Sequence, residues 1–158
     1  MGDSGLPRLE LAGLDDLPAI LDLQKLAFWG EAQALGDFSI TPLSQTLSSL
    51  RSEFEQGPVL VAREEGGLGL VGSVRAREEA DSVYVAKLFV HPERQNRGLG
   101  RALLAAVEKL FGPKTYALFT TEKSHKNLRL YRLMGYREFK REKWTDEEDF
   151  VFLKKEVV

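Results

Sequence analysis

The sequence predicts a mixed α/β (α+β) fold, in which a mostly antiparallel run of strands leads into a β-α-β-α-β unit. Three observations carry this expectation. Short apolar runs from Pro58 to Val90 follow one another with turn residues between them. Beyond Val90 the apolar spacing becomes helical, then alternates between strand and helix as far as Leu153. A single glycine-bearing loop, Gln95-Asn96-Arg97-Gly98-Leu99-Gly100-Arg101, separates the two regions. With 158 residues, 43% hydrophobic and 29% charged, the chain reads as one domain over 1–158, able to bury a core without disulfides or a structural metal.

The elements follow in order. Leu9-Glu10-Leu11-Ala12 alternates and predicts a first strand. Asp15 or Asp16 can cap a helix whose apolar positions Leu17, Ile20, Leu21, Leu23, Leu26 and Phe28 keep helical spacing. The stretch from Trp29 to Ile40 is polar, aromatic and glycine-containing, and is expected to be a loop. Thr41-Pro42 opens a second helix that runs to about Gln56, with Leu43, Leu47, Leu50 and Phe54 along one face. Pro58 to Ala62 predicts a strand, Glu64-Glu65-Gly66-Gly67 a hairpin turn, and Leu70 to Ala76 the return strand. Ser82 to Val90 is a third and more apolar strand. Ala102, Leu103, Ala106, Val107 and Leu110 then mark a helix closed by Gly112-Pro113. Tyr116 to Thr120 predicts a strand, Lys126 to Met134 a basic helix stopped by Gly135, and Tyr136 to Lys140 and Phe150 to Leu153 two last strands. The charged segment Glu142 to Asp149 is expected as the hairpin loop between them.

Composition removes several classes of chemistry. There is no cysteine, which excludes disulfides, thiolate zinc sites and a cysteine nucleophile. His91 and His125 are the two histidines, too few for a histidine-rich metal cluster, and no metal is expected. A net charge of −2 gives no global attraction to nucleic acid or an anionic membrane, so phosphate recognition has to be local. Met1 to Gly5 lacks a basic region followed by an apolar run, and Leu6 stands where an N-myristoylation signal needs Ser or Thr. No stretch approaches the roughly 18 to 20 apolar residues that span a bilayer. A cytoplasmic location and no membrane partner are expected.

The loop from Gln95 to Arg101 carries the chemistry. A helix start exposes unpaired N–H groups at the positive end of the helix dipole. Gly98 and Gly100 would let a phosphate approach the backbone there, and Arg94, Arg97 and Arg101 add cations around the rim. These features favour a pyrophosphate site, with a purely structural turn as the other reading. A dinucleotide fingerprint would place a third glycine at Leu103, and a nucleoside triphosphate loop would replace Gly100-Arg101-Ala102 by Gly-Lys-Ser/Thr. Both fail.

Gln95, Gly98 and Gly100 match Gln/Arg-x-x-Gly-x-Gly/Ala, and Leu130-Tyr131-Arg132-Leu133-Met134-Gly135-Tyr136 matches a Leu-Tyr-x-x-x-Gly-Phe/Tyr run. Together with Leu88-Phe89-Val90 and His91-Pro92 before the first motif, this order resembles the GNAT N-acetyltransferases over roughly Leu9 to Leu153. The resemblance implies a central sheet of six to seven strands, splayed between strands 4 and 5 and flanked by about four helices. It implies acetyl-CoA as cosubstrate, with Leu88, Phe89 and Val90 pairing with the pantetheine arm. Asn96, Arg97, Gly98, Leu99, Gly100 and Arg101 would hold the pyrophosphate, with Gln95 also among the cofactor-binding residues. A fourth-strand N–H would polarise the thioester carbonyl. Tyr131 would touch the cofactor and act as general acid, and Asn127, one helical turn earlier, would contact the cofactor arm. Relatives carry an asparagine where this chain has Ser124, so Ser124 and Asn127 compete for that role.

The implied activity is transfer of an acetyl group to a primary amine of a small molecule or peptide, by direct attack in a ternary complex. The alternative is a non-catalytic acetyl-CoA-binding sensor or interaction module on the same fold, kept open because Ser82 to Val90 contains no acid. Tyr84 stands near the position where some relatives place a glutamate, and Lys87 is that strand's charged residue. Glu31 and Asp37 are the acidic candidates for a general base, with a water chain as the other route. Phe28, Trp29 and Phe38 are candidates to shape an acceptor pocket. A nucleic-acid adaptor using Lys123, Lys126, Arg129 and Arg132 ranks last, because a run of this kind is most often a solvated helix face. A homodimer is the default assembly, since symmetric pairs are the commonest oligomers.

Overall fold

The computed structural model describes residues 7–146 and 148–158. The expectations that rest on residues 1–6 lie outside them. The chain runs β1 (Arg8–Leu11), α1 (Leu17–Leu35), α2 (Thr41–Ser44), α3 (Leu47–Gln56), β2 (Val59–Glu64), β3 (Gly69–Glu79) and β4 (Ser82–Val90). It continues through α4 (Leu99–Phe111), β5 (Thr115–Thr121), α5 (His125–Leu133), β6 (Arg137–Thr145) and β7 (Glu148–Glu156). The strands form one seven-stranded sheet in the order β1-β2-β3-β4-β5-β7-β6, antiparallel except for β4 beside β5.

Alternation along β2 shows how the two faces are covered. Leu60 and Ala62 join α4 through Leu99, Leu103, Leu104 and Val107. Val59 and Val61 join Leu17, Ile20, Leu21 and Leu23 of α1 and Leu50 of α3 on the other face. Each fully buried side chain of this kind is worth roughly 1.5–3 kcal/mol against exposure. With helices on both faces, β3 is buried from Leu70 to Ala76 rather than alternating.

Three expectations about elements need correction. The expected loop at Trp29 to Ile40 is helix as far as Leu35, because nothing stops α1 before Gly36, which takes the left-handed φ of 70° that ends it. The expected single helix from Thr41 to Gln56 is two. Gln45 is extended between them, and Thr46 caps α3 by accepting from the Ser49 N–H at 3.1 Å. This adds α2, a single turn, to the four helices expected. The expected loop from Glu142 to Asp149 is mostly strand, since β6 reaches Thr145 and β7 begins at Glu148. Its charges belong to an exposed edge strand, where they pair along the surface, as Lys140 does with Glu142 at 2.8 Å.

Candidate active site

The sheet opens between β4 and β5. The two strands pair only at Ser82 with Thr115, Val83 with Tyr116 and Tyr84 with Ala117. Beyond that point Val85 to Val90 keeps β3 on one edge and loses β5 on the other. The register against β3 steps from Arg75 opposite Ala86 to Ser73 opposite Phe89, so β4 carries one extra residue, a β-bulge. Lys87 sits in it with φ 51°, a left-handed conformation that costs a non-glycine residue about 1–2 kcal/mol. Leu88 lines the opening, whereas the Phe89 ring is buried against Phe28 at 5.7 Å and Val90 packs toward α4. Phe89 and Val90 therefore present backbone, not side chains, to the gap.

The mouth of the gap is closed by the loop into α4. Asn96 and Gly98 both have positive φ, 63° and 83°, and the first helical bond is Ala102 N–H to the Gly98 carbonyl at 3.0 Å. Among the described residues, the N–H groups of Leu99, Gly100 and Arg101 donate to no protein acceptor. They form a concave donor set suited to a pyrophosphate. A side chain at Gly100 would place its Cβ 3.3 Å from Leu130 Cδ2, so this glycine also sets how closely α5 approaches. The Gln95 side chain is engaged within the protein: its Nε2 donates to the Val90 carbonyl at 3.1 Å and its Oε1 accepts from Lys126 at 3.0 Å. Arg94, expected as a mobile rim cation, is instead clamped by both oxygens of Glu64 at 2.7 and 2.8 Å. That bond holds the Glu64 carboxyl down at about 2.

Inside the gap a cavity of about 450 Å³ is lined by Glu31, Tyr84, Lys87, Leu88, Asn127 and Tyr131, among others. Tyr131 is 5% exposed, and among the described residues its hydroxyl has no hydrogen-bond partner. Burial pushes its pKa well above the usual value, with the nearby Glu31 carboxylate adding to the shift. Glu31 reaches the cavity from α1. Burial raises its pKa, a bond from Ser124 Oγ at 3.0 Å opposes the rise, and Glu148 reinforces it. Asp37 turns away: it accepts from the Ser39 N–H at 2.9 Å within its own exposed turn. Ser124 also shares a bond with Thr121 at 2.9 Å, while Asn127 lies on the cavity wall and donates to Thr120 at 3.4 Å. Ser124 thus bonds Glu31, while Asn127 lies in the cavity lining. Of the expected acceptor aromatics, Phe28 lines the cavity; Trp29 and Phe38 pack against each other at 4.7 Å with their rings tilted by 44°, half exposed, outside the lining.

One feature escaped the sequence reading. Arg75 of β3, 4% exposed, also lines the cavity. Its Nη2 donates to Gln24 at 2.7 Å and Gln45 at 3.4 Å. Strand alternation gives no hint of a buried cation, because both faces of β3 are covered.

A mixed sheet opened where β4 runs parallel to β5, with a phosphate-suited helix start at the mouth, defines an acetyltransferase-type fold. The acetyltransferase (GNAT) domain family matches residues 55–138, and the chain belongs to that family. It is similar to the ribosomal-protein-S18-alanine N-acetyltransferase from Escherichia coli, at 18% identity and TM-score 0.77 over 96% of this chain and 94% of that one. It is also similar to a phosphinothricin acetyltransferase from Sinorhizobium meliloti in complex with acetyl-CoA, at 16% identity and TM-score 0.74 over 96% and 89%. A Salmonella typhimurium protein solved with its cofactor acetyl-CoA matches at 19% identity and TM-score 0.70, over 98% and 95%. At these identities the likeness is one of fold. No curated protein matches the sequence. Among the described residues no helix is long and apolar enough to cross a membrane.

Proposed function

We propose that this chain transfers the acetyl group of acetyl-CoA to a primary amine of a small molecule or peptide, in a ternary complex in the cytoplasm. What supports the reading is one arrangement: Tyr131 and Glu31 line a single cavity with the β4 edge that β5 leaves unpaired. Acetyl-CoA supplies a thioester activated for acyl transfer. The donor set at the start of α4 suits its pyrophosphate, and the open β4 edge suits the amide groups of its arm.

Glu31 is the proposed general base. Its raised pKa brings it closer to the operating pH than an ordinary carboxylate. It takes a proton from the acceptor ammonium, and the freed nitrogen attacks the carbonyl carbon. The C–N bond forms as the C–S bond breaks, and a β4 N–H facing the gap steadies the carbonyl oxygen. Tyr131 gives its hydroxyl proton to the leaving sulfur, which a high pKa keeps in place until that moment. The nitrogen loses a second proton, which restores Tyr131. The products are the N-acetyl amine, coenzyme A and one proton released through Glu31.

Calorimetric titration with acetyl-CoA, followed by free-thiol release against a panel of amines, tests this. Amine-dependent thiol release that falls in Tyr131→Phe supports the reading. Tight acetyl-CoA binding with no thiol release from any amine would favour the sensor instead.

A further inference from the structure

The cavity is electrically asymmetric. Glu31 stands at one part of its wall, with the buried Glu148 close enough to disfavour its charge. Arg75 and Lys87 stand at another, and one carboxylate serves them both. Glu53 Oε1 lies 3.2 Å from Arg75 Nε and Glu53 Oε2 lies 3.5 Å from Lys87 Nζ. The contact to Arg75 is an ion pair without hydrogen-bond geometry, and among the described residues the buried Arg75 Nε and Nη1 have no hydrogen-bond partner. Gln24 and Gln45 are neutral and bring no charge. Two cations against one carboxylate leave about one positive charge uncompensated in a site largely withdrawn from water. Burial works against Lys87 in the same way, lowering its pKa although Glu53 opposes this.

Retaining such a charge is costly unless an anion arrives to meet it. The bulge that places Lys87 at φ 51° turns its side chain toward α3 and the cavity, one residue before Leu88 on the open edge. Its side chain is 18% exposed against 5% for Arg75, so of these two Lys87 is the one that a ligand can reach; Arg77, also in the lining, is already paired with Glu79 at 3.0 Å.

We propose that Arg75 and Lys87 form an anion subsite, so that the acceptor is a small amine carrying its own carboxylate, such as a free α-amino acid. Its ammonium group then faces Glu31 and Tyr131 while its carboxylate meets Lys87. This assignment rests on the acetyl transfer proposed above and narrows the acceptor to a zwitterion. A cationic polyamine, or an internal peptide amine without a nearby carboxylate, leaves the subsite unmatched.

The test pairs each common α-amino acid with its α-carboxamide, which removes the anion and keeps the amine. Binding to the coenzyme A-saturated protein is measured by calorimetry and turnover by thiol release, for the native chain, Lys87→Met and Lys87→Arg. At least one acid is expected to bind about tenfold or more tightly than its amide, as loss of a charged hydrogen bond requires. Lys87→Met is expected to erase that preference and Lys87→Arg to keep most of it, with thermal melting confirming that both fold. Amides that bind or react as well as their acids, or no binding by any acid, would overturn the subsite. So would a preference that survives Lys87→Met. The two readings fail separately. Acids bound in preference to amides but never acetylated would keep the subsite and sink the transfer; efficient acetylation of amides would do the reverse.

Discussion

Tyr131 and Glu31 come from α5 and α1, and burial acts on both in the same direction by favouring the protonated form. For Tyr131 this suits a proton donor. Tyr131→Phe is expected to lower kcat by about 10²- to 10⁴-fold, the usual worth of a positioned acid, with acetyl-CoA affinity largely kept. A KM effect without a kcat effect in steady-state assays would contradict the role. For Glu31 the same burial sets a conflict between rate and stability. As a base it works when ionised, so kcat/KM should rise with pH through a pKa above the ordinary carboxylate value. Glu31→Gln should lower the rate and remove that limb from the profile. Folding has the opposite sign. A carboxyl whose folded pKa is raised favours the fold while protonated, and its ionisation weakens the fold as pH climbs from the unfolded value through the folded one. At pH 7 Glu31→Gln should therefore melt higher, by about 2 °C or more. Tyr131 is legible in the sequence because its neighbours Leu130 and Gly135 form a local pattern. The sequence offers Glu31 and Asp37 equally as bases; what separates them is made in space, by Ser124, 93 positions from Glu31.

The loop before α4 depends on an anchor from another element. Glu64, at the end of β2, grips Arg94 with both oxygens and also accepts from the Leu68 N–H at 3.1 Å. Arg94 thereby fixes the turn that leads to the donor groups of Leu99 to Arg101. Glu64→Gln should weaken acetyl-CoA binding several-fold by calorimetry, although it touches no ligand; an unchanged affinity would mean that the loop holds itself. The bridge also carries an acid signature. The Glu64 carboxyl sits at about 2 in the fold against 4.5 unperturbed, so its contribution is complete above 4.5 and is lost as pH falls toward 2. Acid unfolding followed by circular dichroism should be shallower over that window in Glu64→Gln. Elements with local signals are legible in the sequence, among them the strand from Ser82 to Val90 and the helix closed by Gly112. Those that differ from expectation depend on distant packing. Gln45 leaves the helical path where its buried side chain meets Gln24 and Glu53. The charges of β6 sit in a strand because β7 pairs with it along nearly its whole length.

Across the whole molecule, three residue pairs connect β4 to β5 and so join the two parts of one sheet. On the near side, β1 to β4 carry α1, α3 and α4; on the far side, β5 and β7 are zipped from Thr115 opposite Glu156 to Thr121 opposite Phe150. Glu108 strengthens the link by bonding Lys155 at 2.8 Å and the Tyr136 hydroxyl at 2.9 Å, which ties α4 to the far side. The opening is therefore a fixed feature of the sheet, with unpaired backbone along one edge of β4 waiting for a partner of strand-like chemistry. The near-continuous hydrophobicity of Ser82 to Val90 makes that strand readable from sequence, but which edge stays open depends on where β5 diverges. If acetyl-CoA fills the gap, its effect on hydrogen exchange should be uneven. The β4 amides from Val85 to Val90 that point away from β3 should gain strong protection. Amides already bonded between β2 and β3 or between β5 and β7 should change little beyond the global rise. That rise follows from binding to the folded state alone, about 2.7 kcal/mol at a hundredfold excess over Kd, which for a chain of this size is roughly 5–10 °C in Tm. Protection spread evenly over all the strands, with the same rise in Tm, would show that the ligand binds elsewhere and leaves the opening unpaired.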